Sequence, residues 1–275
     1  MKLGRARRAS CAAALVAAAA ALSGCAGPAA FDGRPYLAKL EAIEKAGRAG
    51  AADLSAYQLV LAAGQAAARL RAYTARFEKQ ERLGLLLRPL EEVDVAIREE
   101  PLSVHMKWVG RMDRGKEALY VEGENDDRIR VYAGQLPAPM VLNVEPESAA
   151  AMQGNRYPIT RMGLRTLARG LLRSSGEAEA APAGSFHRLG RLEMDGRTIE
   201  IVGRRMTAAS SAAGRPPETL LAGIDLQTGL AVLMSRYGPA TGGKTELLEL
   251  YRYRRLSLAA TLTDADFDFS RVGGK

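Results

Sequence analysis

The sequence is poor in the residues that build reactive sites. Its 275 residues hold two cysteines and two histidines. Both cysteines, Cys11 and Cys25, fall in the first 25 residues, so everything after Cys25 lacks a thiol. That excludes a disulfide framework and a cysteine-based metal site, and leaves core burial to hold the body together. His105 and His187 lie far apart in the chain, and without cysteine help they do not make a transition-metal site. By alternation His105 falls on the strand face opposite Trp108, where solvent is expected. No Gly-x-Ser-x-Gly elbow occurs, so nucleophilic hydrolysis has no starting point. The acidic pairs Glu91-Glu92, Glu99-Glu100 and Asp126-Asp127 could suggest glycosidase chemistry. Adjacent strand residues point to opposite faces, however, and solvated strand ends and turns fit them better. No catalytic residue, metal or cofactor is therefore expected. The only long apolar run, Cys11 to Leu22, is mostly alanine and falls short of the roughly 20 residues of a membrane span.

What that run does resemble is an export signal. Lys2, Arg5, Arg7 and Arg8 precede it, and Leu22-Ser23-Gly24-Cys25 closes it. The closing string resembles a bacterial lipobox, which implies cleavage before Cys25 and acylation of that cysteine. Residues 1–24 are then a lipoprotein signal peptide and 25–52 a tether with a short helix. A domain over 53–270 and a tail over 271–275 complete the chain. Ala26 is not the aspartate of an inner-membrane retention signal, so the resemblance implies an outer-membrane anchor in the leaflet facing the periplasm. Of the formal charge of +8, residues 1–24 carry four positive side chains and no negative ones, leaving about +4. That modest excess suits anionic headgroups or cell-wall polymers better than nucleic acid.

At 47% hydrophobic and 25% charged residues the chain is globular. Leu37, Leu40 and Ile43 predict a helix to about Ala46. Asp53 is a candidate N-cap for a second helix running to about Ala72, with Leu54, Tyr57, Val60 and Leu61 on one face. From Tyr73 the period changes to two. Strands are predicted near 73–78, 93–98, 102–108, 118–122, 129–132 and 140–144, forming a meander with one apolar and one wet face. An amphipathic helix is predicted over 158–173 and a loop over 174–184. Strands then resume around the Asp195-Gly196 hairpin turn, at 220–226, after Thr228-Gly229 at 231–237, and at 246–254. The fold class is mainly β with α. A curled antiparallel sheet of about eleven strands, covered by a few helices, buries its apolar face by curling.

Residues 73–109, Arg156-Tyr157-Pro158-Ile159 with the following helix, Ile224 to Leu230 and Tyr251 to Phe267 resemble an uncharacterised family of bacterial lipoproteins. That family looks related in fold to the lipoprotein-localisation carriers, whose unclosed half-barrel holds acyl chains. The resemblance implies a non-catalytic envelope protein anchored to a membrane, with a lipid or acyl ligand. Leu102, Val104, Met106 and Trp108 are the candidate ligand wall, or else plain core, since the inside of a half-barrel is both. The alternative is a structural or interaction lipoprotein contacting cell wall or an envelope protein through its outer face. The Tyr251-Arg252-Tyr253-Arg254-Arg255 strand would be one such surface, unless its tyrosines merely face inward and its arginines outward. Gly238 to Thr245 matches the phosphate-loop string without mismatch. Only about thirty residues follow, too few for the sheet such a site needs, so a hairpin loop is expected and no nucleotide.

Overall fold

The computed structural model describes residues 31–46, 54–134, 140–176, 186–206, 218–239 and 245–273. Cys25, the Asp53 cap and most of the phosphate-loop-like string lie outside them. Two helices come first, α1 (Arg34–Lys45) and α2 (Leu54–Ala68). Seven strands follow: β1 (Ala72–Leu83), β2 (Leu86–Leu87), β3 (Glu91–Glu99), β4 (Leu102–Trp108), β5 (Glu117–Val121), β6 (Ile129–Ala133) and β7 (Met140–Val144). Then come α3 (Ala149–Met152) and α4 (Leu164–Gly176). The last strands are β8 (His187–Met194), β9 (Arg197–Met206), β10 (Glu218–Asp225), β11 (Ala231–Pro239) and β12 (Thr245–Ser257).

The strands form one antiparallel sheet in the order β7-β6-β5-β4-β3-β1-β12-β11-β10-β9-β8, with β2 paired to β1 on the side. The sheet does not close, so it is the expected half-barrel with twelve strands instead of about eleven. The extra one is β2, whose two residues are too few to show a period. β1 and β12 pair at the centre, with Phe77 opposite Tyr253 and Lys79 opposite Tyr251. This long-range pairing joins the two meanders. Asp195 and Gly196, both at positive φ (53° and 74°), form the tight β8–β9 turn. Gly238 pairs with Glu246 and Pro239 with Thr245. A strand therefore follows the phosphate-loop-like string, where a phosphate loop needs a helix.

The predicted 158–173 helix is shorter at its start. Residues Ile159–Arg161 make a 3-10 turn, and Gly163 at φ 108° breaks the chain before α4. A Cβ there would press on the Tyr73 hydroxyl and Glu99. Leu164, Leu167, Ala168 and Leu171 form the buried stripe of α4. In α2 the stripe is Ala56, Val60, Ala63 and Ala67, small enough for close approach. At Gly64 a Cβ would press on the end of the Leu172 side chain of α4, which would have to move. Among the described residues no helix is long and apolar enough to cross a membrane.

The expected wet outer face of the meander is partly covered. Phe267 and Val272, from the C-terminal turns, pack on Leu119 and Val121 of β5. Arg98 reaches over the Phe267 ring at 4.9 Å and pairs with Asp264. His105 is consequently half-buried, not solvated. Burial pulls its imidazole below the ordinary value despite Glu117 nearby. Two members of the acidic pairs are also half-buried rather than solvated. Glu91 faces Lys79 at 3.6 Å, and Glu99 sits against Tyr73 and Arg165.

Candidate functional site

The concave face of the sheet and the segment 150–173 above it enclose a cavity of about 660 Å³. That is ample for a small amphiphile. A column of rings from β1, β12 and the overlying segment runs along the cavity, of which Phe77, Tyr157, Tyr251 and Tyr253 line it. Tyr73 and Tyr253 meet edge-on at 6.4 Å, Phe77 lies 4.8 Å from Tyr253, and Phe77 stacks on Tyr251 at 6.0 Å. Tyr157 continues the column at 6.3 Å from Tyr251. These rings face one way because residues two apart on a strand share a face.

Residues 155–165 cross this column as a strap, pinned at both ends. At one end Lys79 donates to the Asn155 side chain. The Arg156 amide donates to Glu81 at 3.0 Å, and the Arg156 guanidinium holds Glu249 at 3.0 Å. The Tyr157 hydroxyl donates to Glu249 at 3.2 Å. Glu81 and Glu249 are register partners in β1 and β12, a like-charge pair that destabilises a sheet by itself. Arg156 links them, Arg236 supports Glu249 at 3.2 Å, and Tyr251 donates to Glu81. Glu249 is fully buried; burial pushes its carboxyl upward against the pull of both guanidinium groups.

At the other end the tyrosine hydroxyls accept. Tyr73 takes the Leu164 amide at 2.7 Å and Tyr253 the Gly163 amide at 3.3 Å. Both amides belong to the start of α4, where no carbonyl of the helix is available to them. Glu99 accepts weakly from the Arg165 amide, and burial raises its carboxyl above the ordinary value. Burial likewise holds the Tyr73, Tyr251 and Tyr253 phenols well above theirs, so they stay protonated.

Between the pins Ile159 and Met162 face the cavity, and Thr166, Leu167 and Gly170 of α4 extend its roof. Of the four residues expected as a ligand wall, Met106 and Trp108 line the cavity. Val104 is fully buried beyond it and Leu102 half-buried at the strand start; neither lines it. Trp108 is fixed by its indole N–H, which donates to Glu91 at 2.8 Å. The far wall is β6 and β7, with Ile129, Val131, Met140, Leu142 and Val144. Five methionines line the cavity, at 106, 140, 162, 206 and 234. Such unbranched side chains adapt to irregular apolar ligands. Sequence reasoning missed the strap, since Lys79, Glu81 and Glu249 are polar residues pointing inward. Their one visible signal was an alternation that carries on from Phe77 with the wrong polarity.

Elsewhere charge is tied down. Tyr251 and Tyr253 face inward, while Arg252 and Arg254 on the other face pair with Glu78, and Arg254 also with Asp195. Arg252 and Arg254 are thus not free as a basic surface, and only Arg255 of the run is exposed. His187 is buried on β8, away from His105. Among the described residues no three His, Cys, Asp or Glu side chains come together as metal ligands.

Residues 70–271 match a family described as proteins of unknown function (DUF1571). The stretches that carried the resemblance lie inside that match, 156–159 and 251–267 among them. No curated protein matches the chain. Similar solved structures include the lipoprotein LppX of Mycobacterium tuberculosis, at 14% identity over 77% of this chain and 100% of that one, with a TM-score of 0.45. LprF from Mycobacterium bovis is 15% identical over 77% and 97%, with a TM-score of 0.42. A domain from Vibrio parahaemolyticus described as outer-membrane lipoprotein-sorting is 12% identical over 78% and 97%, with a TM-score of 0.37. Likeness at this level carries no argument about function.

Proposed function

The chain belongs to the DUF1571 family of unknown function, and we propose that it is a non-catalytic, lipid-anchored envelope protein that holds an acyl chain or similar apolar ligand in its cavity. The observation that carries the reading is the cavity itself, roofed by a pinned strap and walled by methionine, tryptophan and aliphatic side chains. Holding a chain needs a concave apolar wall and no reactive group, in keeping with a site where every carboxylate is engaged structurally. The anchor is Cys25, on the strength of the lipobox-like string. The layout is the one read in the sequence, with residues 1–24 removed, 25–52 a tether with the short helix α1, and 53–270 the ligand-holding body. Ala26 after the anchor favours the periplasmic leaflet of an outer membrane. The rival, an interaction protein working through its outer face, is less favoured. The Tyr-Arg strand it would use is salt-bridged, and β5 is covered by the chain's own C-terminal turns.

Native mass spectrometry of the chain from residue 26 onward, purified gently from cells, tests the ligand. A reproducible adduct of lipid mass, lost in Leu142→Asp, is expected. A clean apo mass with no uptake of added fatty acid or phospholipid would overturn the reading. Replacing Cys25 by serine is expected to release the protein from the membrane fraction; unchanged fractionation would sink the anchor.

A further inference from the structure

The charges along the cavity bear on the polar end of the ligand. Five cationic side chains line it, Lys79, Lys116, Arg161, Arg173 and Arg236, against two carboxylates, Glu81 and Glu218. Both carboxylates are engaged: Glu81 by the Tyr251 hydroxyl and the Arg156 amide, Glu218 by Arg236 at 3.6 Å. Lys79 and Arg236 are neutralised in turn, Lys79 between Glu81 and Glu91, Arg236 between Glu218 and Glu249. Lys116, Arg161 and Arg173 have no carboxylate partner among the described residues. Lys116 stands 4.8 Å above the Trp108 ring, and Arg161 and Arg173 are exposed at the cavity's rim. The rest of the cavity is balanced, so its net charge comes from these three. Unpaired cations beside a low-dielectric wall draw anions toward it.

We infer that the ligand is an amphiphile with an anionic head, a carboxylate or a phosphate, whose chain fills the apolar cavity while Lys116, Arg161 and Arg173 meet the head. This rests on the chain-holding reading above and adds the headgroup class. An anionic oxygen on a guanidinium or ammonium makes a charge-assisted hydrogen bond that a neutral ester cannot match. A cationic head is disfavoured by the same three groups.

The test is displacement of a fluorescent acyl probe from the full chain by four ligands each built on a twelve-carbon chain: dodecanoate, dodecyl phosphate, methyl dodecanoate and dodecyltrimethylammonium. At least one anion should bind about tenfold more tightly than the ester, a preference that falls with salt. The Lys116→Gln/Arg161→Gln/Arg173→Gln variant should bring the anions to within about threefold of the ester. Arg161→Gln/Arg173→Gln, two exposed changes, should reduce the preference even if the triple variant misfolds. Preference for dodecanoate would assign a fatty-acid source, and preference for the phosphate a phospholipid one. Equal binding of ester and anions, or tighter binding of the ammonium, would overturn the headgroup inference and leave the cavity reading standing. If no dodecyl ligand displaces the probe, both fall.

Discussion

Two walls of one cavity are held in opposite ways. The β1–β12 wall carries the strap, whose two ends are held by polar contacts: Glu81, Glu249, Arg156 and Arg236 at one end, two tyrosine hydroxyls and two helix amides at the other. The β6–β7 wall is an edge. β7 pairs only with β6, and Met140, Val141 and Leu142 are each 40–42% exposed. Buried polar groups with several fixed partners make one geometry much better than its neighbours. An edge strand with half-exposed aliphatic side chains has no such preference and opens locally at lower cost. The contrast says which wall sets the shape of the site and which yields when a chain enters. Amide exchange would show it directly, with slow protons across Tyr251 and Tyr253 and faster ones across Val141 and Leu142.

The largest break in this contrast comes from Arg156. Replacing it with glutamine keeps the backbone amide on Glu81 but takes one of two guanidinium groups from the buried Glu249, leaving Arg236 and the Tyr157 hydroxyl on that carboxylate. Removing one partner from a buried ion cluster costs about 3 kcal/mol or more. Urea unfolding of Arg156→Gln should show a loss of that size. A loss below about 0.5 kcal/mol, the level of an ordinary surface change, would mean the strap is not pinned by charge.

A buried ion pair outside the cavity separates the effect of charge burial from that of the strap. Asp225, at the β10–β11 turn, accepts from Arg197 at 2.8 Å, the Gln227 amide at 2.9 Å and Thr228 at 2.8 Å. Burial pushes its carboxyl up, but those hydrogen bonds pull harder, so its pKa lies below the ordinary 3.8. A carboxylate with a lowered folded pKa stabilises above its unfolded pKa and loses that contribution as pH falls through the folded one. Asp225→Asn should therefore cost about 2 kcal/mol at neutral pH, as loss of charge-assisted hydrogen bonds does. The gap from wild type should shrink as pH drops below 3.8. Acyl-probe affinity should not move. If it falls, charge burial anywhere in the body disturbs the site and the strap has no special role.

Tyr73→Phe is the smaller cut at the helix end of the strap. It leaves the Leu164 amide without its acceptor in a buried site, at a cost of about 1–2 kcal/mol. Exchange of the first amides of α4 should quicken while those of α2 stay slow. Uniform loss across both helices would show that α4 is held by its apolar stripe and not by the hydroxyls.

The fold was legible wherever polarity and period agree. Val93, Val95 and Ile97, or Val104, Met106 and Trp108, alternate with polar residues, and their strands appear where expected. It was illegible where inward positions are charged. β1 runs past Phe77 through Lys79 and Glu81 to Leu83, but neither residue announces burial, since each is buried only because a partner over 70 residues away covers it. His105 was misplaced for the converse reason. Its own strand puts it outside, on a face that the distant C-terminal turns partly cover. Met106 and Trp108 could be assigned to the cavity wall from alternation, whereas Val104 shares their face and lies beyond the cavity. Where a cavity stops along a strand depends on what roofs it, and that is not a local property.

The smallest expected effect on stability is also the sharpest test of the yielding wall. Leu142 lines the cavity from β7 yet keeps 42% of its surface exposed, so it buries little apolar area that folding depends on. Leu142→Asn should leave urea stability within about 0.5 kcal/mol, as surface changes do. A ligand chain seated against β7 buries that same side chain, and an amide there must then lose water without a partner. The variant should release an acyl probe several-fold faster, with its association rate nearly unchanged, because affinity differences at a fixed site lie mostly in dissociation. Unchanged release would mean that bound chains lie along β1 and β12 and leave β7 untouched. The pinned wall would then both shape the site and hold the ligand, and the exposed edge would need another explanation.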